Sequence, residues 1–199
     1  AGNDGGGIFV NNGASLQLTE VSVKDNRADN GAGIYIKDTT LTANRVTFSE
    51  NIATGQGGGI YQDSTTVTMT NVTISGNSAN EAGGVYHNGG TVSWTNVTLA
   101  SNTGTSKTGG VRRGGGVINT RNSIIANNTA PSLANCDGSL TSLGYNLEST
   151  NQCSLAGTGD QVNTNPLLGP LQDNGGTTFT HALLAGSPAI DAGTTSGAP

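Results

Sequence analysis

Thirteen carboxylates, eight lysines and arginines, two histidines and two cysteines carry the reactive chemistry of this 199-residue chain. Cleaving a polysaccharide needs clustered carboxylates, with or without Ca²⁺, or a Lys or Arg base beside them. Asp38 and Asp63 come nearest to a pair, and Asn88 stands where a third would fall. His87 falls beside Gln62 and Lys37 in the same spacing, with no carboxylate partner, and His181 precedes Ala182-Leu183-Leu184. Both histidines read as exposed or hydrogen-bonded side chains. Lys107, Arg112, Arg113 and Arg121 concentrate the basic charge, which suits either a sulfated or acidic glycan or solvated charge that discourages wrong stacking. Cys136 and Cys153 suit one disulfide formed in an oxidising compartment. They lack Cys-x-x-Cys metal spacing. Gly58-Gly59-Ile60-Tyr61-Gln62-Asp63 lacks the third glycine of a Ca²⁺-binding nonapeptide. No catalytic residue, metal or cofactor is expected. Sequons at Asn71, Asn96 and Asn127 are expected by chance in so Thr- and Asn-rich a chain.

Composition narrows the class. Glycine supplies 32 residues, and charged residues make up only 11% with a net charge of -5. Solvated coil needs more charge than this. A pI near 4.7 speaks against nucleic-acid binding. No apolar run approaches the ~18 residues that would span a bilayer. The chain begins inside its own pattern without a secretory leader, as a processed or excised piece would.

That pattern is a repeat. Gly57-Gly58-Gly59-Ile60 recurs as Gly5-Gly6-Gly7-Ile8, Gly31-Ala32-Gly33-Ile34 and Ala82-Gly83-Gly84-Val85. A bulky apolar residue stands three positions before Asn26, Asn51, Asn77, Asn102 and Asn128, and a small one two after. Superposed units give columns: Ile8, Ile34, Ile60, Val85, Val111; Leu16, Leu41, Val67, Val92, Ile118; Leu18, Ala43, Met69, Trp94, Thr120; Val21, Val46, Val72, Val97, Ser123; and Val23, Phe48, Ile74, Leu99, Ile125. Within a unit, apolar residues alternate with Thr, Ser and Asn, the mark of strands with one buried face. A period of 25–26 residues with three such strands is a rung of a parallel β-helix, stacked ~4.8 Å above the next. The fold expected is all-β: about five regular rungs over residues 1–130, an irregular rung and C-terminal cover over 131–193, and a linker or frayed end at 194–199. Glycines would serve corners of positive φ or close approach. The recurring Asn would form an amide ladder or take the left-handed corner itself. Prolines 166, 170 and 188 cannot sit in inner ladders.

Two outward columns are candidate interaction surfaces. Phe9, Tyr35, Tyr61 and Tyr86 would stack on sugars or a partner protein, or pack under a corner or flanking loop. Thr40, Thr66 and Thr91, with Thr42, Thr68 and Ser93 two residues on, form a face like an ice-binding one, or simply reflect the β-propensity of Thr. Arg112 and Arg113 complete the candidate surface.

The Gly-Gly-x-Ile and Phe48-Ser49-Glu50-Asn51 elements resemble the repeats of polymorphic outer-membrane proteins of bacterial surfaces. Leu143-Gly144-Tyr145-Asn146-Leu147, Asn165-Pro166-Leu167-Leu168-Gly169-Pro170-Leu171, Asp173-Asn174-Gly175-Gly176 and Gly186-Ser187-Pro188-Ala189-Ile190-Asp191-Ala192-Gly193 resemble the C-terminal part of choice-of-anchor β-helix proteins. The resemblance implies a secreted or surface-displayed right-handed β-helix and transfers no catalytic residues. The expected role is an extracellular structural or adhesive module that contacts surface glycans, surface proteins or its own copies end to end, as a fibre would. A polysaccharide-degrading β-helix enzyme and an ice-binding protein are the alternatives. Nucleic acid and direct membrane insertion are not expected.

Overall fold

Alternation of apolar with small polar residues turns one side of each strand inward, and the repeat sets successive strands side by side. The computed structural model describes residues 3–195; residues 1–2 and 196–199, with most of the expected 194–199 linker, lie outside the described residues. The described residues form an all-β solenoid of about six turns whose long strands pair in parallel. Strands Thr40–Ser49, Ile60–Ser75 and Val85–Ala100 carry its centre. All five apolar columns are borne out. Ile34 pairs with Ile60 and Ile60 with Val85. Leu41, Ala43, Val46 and Phe48 pair with Val67, Met69, Val72 and Ile74. The next coil supplies Val92, Trp94, Val97 and Leu99 in the same register. These side chains are buried in one continuous core. Each Val, Leu, Ile, Phe or Met among them contributes roughly 1.5–3 kcal/mol by leaving water.

Corners sit where single residues adopt the left-handed region. In one coil they are Gly57 (φ 65), Ser64 (φ 52), Asn71 (φ 55) and Gly76 (φ 68). Four corners make four sides, one more than the sequence suggests. The fourth is a narrow sheet of two-residue strands, Arg27–Ala28, Ile52–Ala53, Ser78–Ala79 and Thr103–Gly104. It is too short to show alternation, which is why three strands are legible and the fourth is not. Its Ala28, Ala53 and Ala79 pack with Ala32 in a small cluster of their own.

The recurring asparagines form the amide ladder. Asn51 Nδ2 donates to Asn77 Oδ1 at 2.9 Å, and Asn77 Nδ2 to Asn102 Oδ1 at 2.9 Å. The series runs from Asn26 to Asn128 and ends on Asn135. The amides of Asn51, Asn77, Asn102 and Asn128 are saturated. Asn77 Nδ2 also donates to the Phe48 carbonyl at 3.0 Å, and Asn77 Oδ1 also accepts the Asn51 backbone N–H at 3.0 Å. The left-handed corner falls one residue earlier, at Asp25, Glu50, Gly76, Ser101 and Asn127. The ladder also dictates a glycine. A Cβ on Gly59 would stand 2.8 Å from the Gly84 carbonyl oxygen and 3.1 Å from Asn77 Nδ2.

Past residue 130 the chain closes this end of the core. Cys136 pairs with Val111 and continues its column. Thr141–Ser142 and Leu147–Glu148 add to the same sheet, and Leu140, Cys153 and Leu155 fill the core above it. Residues 153–161 form a further layer, with Leu140 N–H bonded to Cys153 O and Glu148 N–H to Gln161 O. The chain after 165 lies elsewhere. Strands Leu168–Gln172 and Thr180–Leu183 make an antiparallel hairpin, and this strap runs back along the flank of the solenoid, not over its end. Thr47 Oγ1 donates to Phe179 O at 2.7 Å, and Asn122 holds the Thr194 backbone through both its amide atoms.

Replacing Asn77 by Ala removes the acceptor of the Asn51 N–H and a donor to the Phe48 carbonyl in a dry interior, and leaves Asn102 Oδ1 with only the backbone N–H of residue 77. Urea unfolding is expected to show a loss of about 3–5 kcal/mol. Asn71→Gly, on an exposed corner, is expected to stay within about 0.5 kcal/mol.

Candidate functional site

The aromatic column is a stacked array on the outer surface. Tyr35 lies between the inward Ile34 and Ile36, so its ring points out. Phe9 and Tyr35 stack at 5.2 Å, Tyr35 and Tyr61 at 4.7 Å, and Tyr61 and Tyr86 at 5.2 Å, with interplanar angles of 7°, 2° and 2°. Arg112 closes the array 5.6 Å over the Tyr86 ring. The ring faces are therefore used up by one another. A sugar ring finds edges and hydroxyls along this column, plus the outer face of Phe9, which is 55% exposed. Burial pushes the Tyr35 phenol up. It pushes Tyr61 to about 12, with Tyr35 adding to the effect.

The basic residues do not form an open patch. Arg112 pairs with Glu81 and with Asp137 at 3.4 Å, and Lys107 lies 3.8 Å from Glu81. Arg113 donates to the carbonyls of Ser139 and Gly116. The threonines are in register, Thr40 with Thr66 with Thr91, and point to solvent. Their column is bounded by Ser15 on one side and Val117 on the other, so the grid is three coils deep. The structure thus brings the aromatics and Arg112 together and leaves the threonines on a different side.

Two expected neighbours move by one position. Asp63 stacks on Lys37, not on Asp38: the Lys37 ammonium is 3.5 Å away, and Asn88 Nδ2 donates to the other carboxylate oxygen at 3.2 Å. Gln62 stacks on Ile36, not on Lys37. This places Gln62 and His87 inside the solenoid, both fully buried. Gln62 Nε2 lies 3.2 Å from His87 Nδ1. An amide NH₂ only donates, so Nδ1 accepts and the imidazole proton sits on Nε2. Gln62 Oε1 and His87 Nε2 have no partner among the described residues. Burial, with Arg113 nearby, lowers the His87 pKa to about 4 against the opposing pull of Asp63. The corner yields the room: Thr39 and Thr65 fill it in two coils, and Gly90 and Gly116 in the next two. A Cβ on Gly116 would be 2.7 Å from His87 Nε2. His181 is part of the strap. Its Nδ1 donates to the Gly169 carbonyl at 2.7 Å, so Nε2 accepts from Ser75 Oγ at 2.8 Å.

Cys136 and Cys153 are joined in a disulfide, with Cα atoms 5.0 Å apart. Beside it lies a residue with no period to mark it in the sequence. Glu148 is fully buried. Its carboxylate accepts from the N–H groups of Gln152 at 2.8 Å and Cys153 at 3.1 Å, and from the Thr150 hydroxyl. A second unanticipated feature is a cleft of about 270 Å³ between the solenoid flank and the strap, lined by Tyr145, Gln161 and Asn96 among others.

Residues 45–63 match the Chlamydia polymorphic membrane protein repeat. The matched stretch holds Phe48, Asn51, Gly59 and Ile60: one core residue of the coil, one rung of the amide ladder, the glycine pressed on the next rung, Asn77, and the first residue of the next strand. The repeat points to a surface or outer-membrane-associated protein. No curated protein and no solved structure matches the chain. The choice-of-anchor likeness of the C-terminal part is not among the matches.

The low His87 pKa makes stability depend on pH. Above about 6.5 the imidazole is neutral in both folded and unfolded chains. As pH falls from 6.5 towards 4, the unfolded chain takes up a proton that the folded coil refuses, so stability drops and the loss levels off below 4. Thermal unfolding at pH 7 and pH 4 is expected to show a larger drop for the natural chain than for His87→Gln. Equal drops would mean that His87 titrates normally.

Proposed function

We propose that the chain is a non-catalytic extracellular module, a rigid β-solenoid that displays adhesive surfaces at a cell exterior. The observation that carries this is the disulfide closing a ladder-built rod. Disulfides persist in oxidising compartments, and the surface-protein repeat over 45–63 points the same way. A rod of self-complementary columns gives length and stiffness without a large core. Its carboxylates serve the rod: Asp63 joins Lys37 to Asn88, Glu81 holds Arg112, and Glu148 and Asp160 hold backbone N–H groups at the closed end. Bond cleavage in a glycan would instead ask for two carboxylates facing one substrate. Contact with surface glycans or proteins uses the edge of the Phe9–Tyr86 array and the strap side of the solenoid.

End-to-end association is the second element of the proposal, and the two ends are unlike. Residues 153–161 layer over the C-terminal coil. At the other end Ile8, Val10, Leu16 and Val21 are half-buried, where Ile34, Ile36, Leu41 and Val46 in the next coil are fully buried. A parallel coil of the same build laid on the first coil, from another copy, would bury these four side chains.

Labelled protein is expected to attach saturably to glycan-coated beads or intact cells. It is expected to leave a panel of acidic polysaccharides without new reducing ends. Sugar release, or attachment to neither surface, would contradict the proposal.

A further inference from the structure

The cleft between flank and strap has the build of a ligand site. Its floor comes from the solenoid: Asn96 and Thr98 on one coil and Asn122 on the next, then Tyr145 and Gln161 from the layers that close the core. Its other wall comes from the strap and is apolar, with Leu183, Ala189 and Ala192. Among the described residues, no charged side chain lines it.

The walls are held in place before any ligand arrives. Asn122 Nδ2 donates to Thr194 O at 2.9 Å, and Thr194 N–H returns to Asn122 Oδ1 at 3.1 Å. Gln161 Nε2 donates to Pro188 O at 3.1 Å. Asn96 Nδ2 donates to Asn71 Oδ1 at 2.9 Å. Tyr145 is fixed twice: its N–H bonds Thr158 O at 2.8 Å, and its ring packs so closely on Gly159 that a Cβ there would stand 2.6 Å from Tyr145 Cδ1. Tyr145 also takes a left-handed backbone, φ 60, a conformation rare for an aromatic residue. It is the corner position that Asn71, Asn96 and Asn122 hold in the preceding coils.

What remains unused is the recognition set. Asn96 Oδ1, Thr98 Oγ1, Tyr145 Oη and Gln161 Oε1 make no hydrogen bond to the described residues. Hydroxyls and amide oxygens come from the solenoid side, alongside Ile124 and Leu147, and the strap side is aliphatic, around a volume of about 270 Å³. Ligand sites are apolar clefts with a few placed polar groups, usually preformed.

We propose that this cleft binds a single neutral sugar ring, its hydroxyl edge on the solenoid floor and its C–H face against the strap. The chemistry selects this class. A pyranose is uncharged, fits a cavity of this size, and carries hydroxyls that both donate and accept, as Thr98 and Tyr145 do. A sulfated or carboxylated sugar would bring charge into a site with no cation to meet it. This ligand assignment rests on the non-catalytic module proposed above, so the bound sugar leaves unchanged.

The test is titration of the full ¹⁵N-labelled chain with glucose, galactose and N-acetylglucosamine, and in parallel with glucuronic acid. At least one neutral sugar is expected to shift the side-chain amides of Asn96, Asn122 and Gln161 saturably, with Kd on the order of 1–10 mM. Thr98→Val and Tyr145→Phe keep shape and remove one hydroxyl each. Each is expected to weaken binding by about 3–10-fold with an unchanged melting temperature. Absence of saturable shifts at about 100 mM, shifts confined to other residues, unaltered affinity in both variants, or equal binding of glucuronic acid would each overturn the assignment. Chemical conversion of the sugar in the same tube would overturn the non-catalytic module instead, whichever way the cleft behaves.

Discussion

A buried amide that hands its hydrogen bonds straight up and down the axis governs this molecule. Each inner ladder asparagine has two donors and two acceptor positions, and the coils above and below use them all, as at Asn77. In a dry interior an unpaired amide costs about 1–3 kcal/mol, so every coil must return its Asn to the same place. Three further features follow from that. The preceding residue turns through the left-handed region, the second residue after it is small, and the facing glycine lets the next coil's carbonyl approach. The coil length varies without disturbing the ladder. Asn26 is seven positions from Gly33 and Asn51 eight from Gly59, while Leu16 to Val23 and Leu41 to Phe48 are both seven. The extra residue falls on the narrow fourth side, where no apolar column must be kept in step.

The interior is not uniformly apolar, and its departures are local. The column that begins with Val10 and Ile36 continues as Gln62, His87 and Arg113. The polar pair is tolerated because corner glycines 90 and 116 vacate the space that Thr39 and Thr65 fill below. At the closed end the logic changes again. The period is gone, and carboxylates replace the amide ladder as organisers of backbone N–H groups: Glu148 for residues 152 and 153, Asp160 for Asn146 and Gly157. Hydrogen bonds to charged acceptors are stronger than those between neutral groups, which suits a segment with few regular strands, tied further by a disulfide.

Much of the fold was legible because a period leaves the same mark five times. Val72 over Val97 needs only the spacing. Legibility failed where spacing was uneven. A uniform step of 25 puts Lys37 under Gln62 and Asp38 under Asp63, whereas that side of the coil steps by 26 because the extra residue precedes it. One position moves a side chain from outside to inside, and so the burial of Gln62 and His87 was hidden. The aromatic column was visible as a column, but its stacking, which consumes the ring faces, depends on side-chain angles that spacing does not record. The strap and the cleft beneath it could not be found at all. They arise from a contact between residues such as Asn122 and Thr194, far apart in sequence and unmarked by repetition.

Hydrogen exchange at the asparagine side chains addresses the ladder most directly. If the amides of Asn51, Asn77 and Asn102 are bonded in series inside the solenoid, their Nδ2 protons exchange as slowly as the central strand backbone N–H groups and are released only on global unfolding. Exchange at the rate of the solvent-exposed side-chain amide of Asn80 would contradict the register on which the fold, the closed end and the cleft all depend.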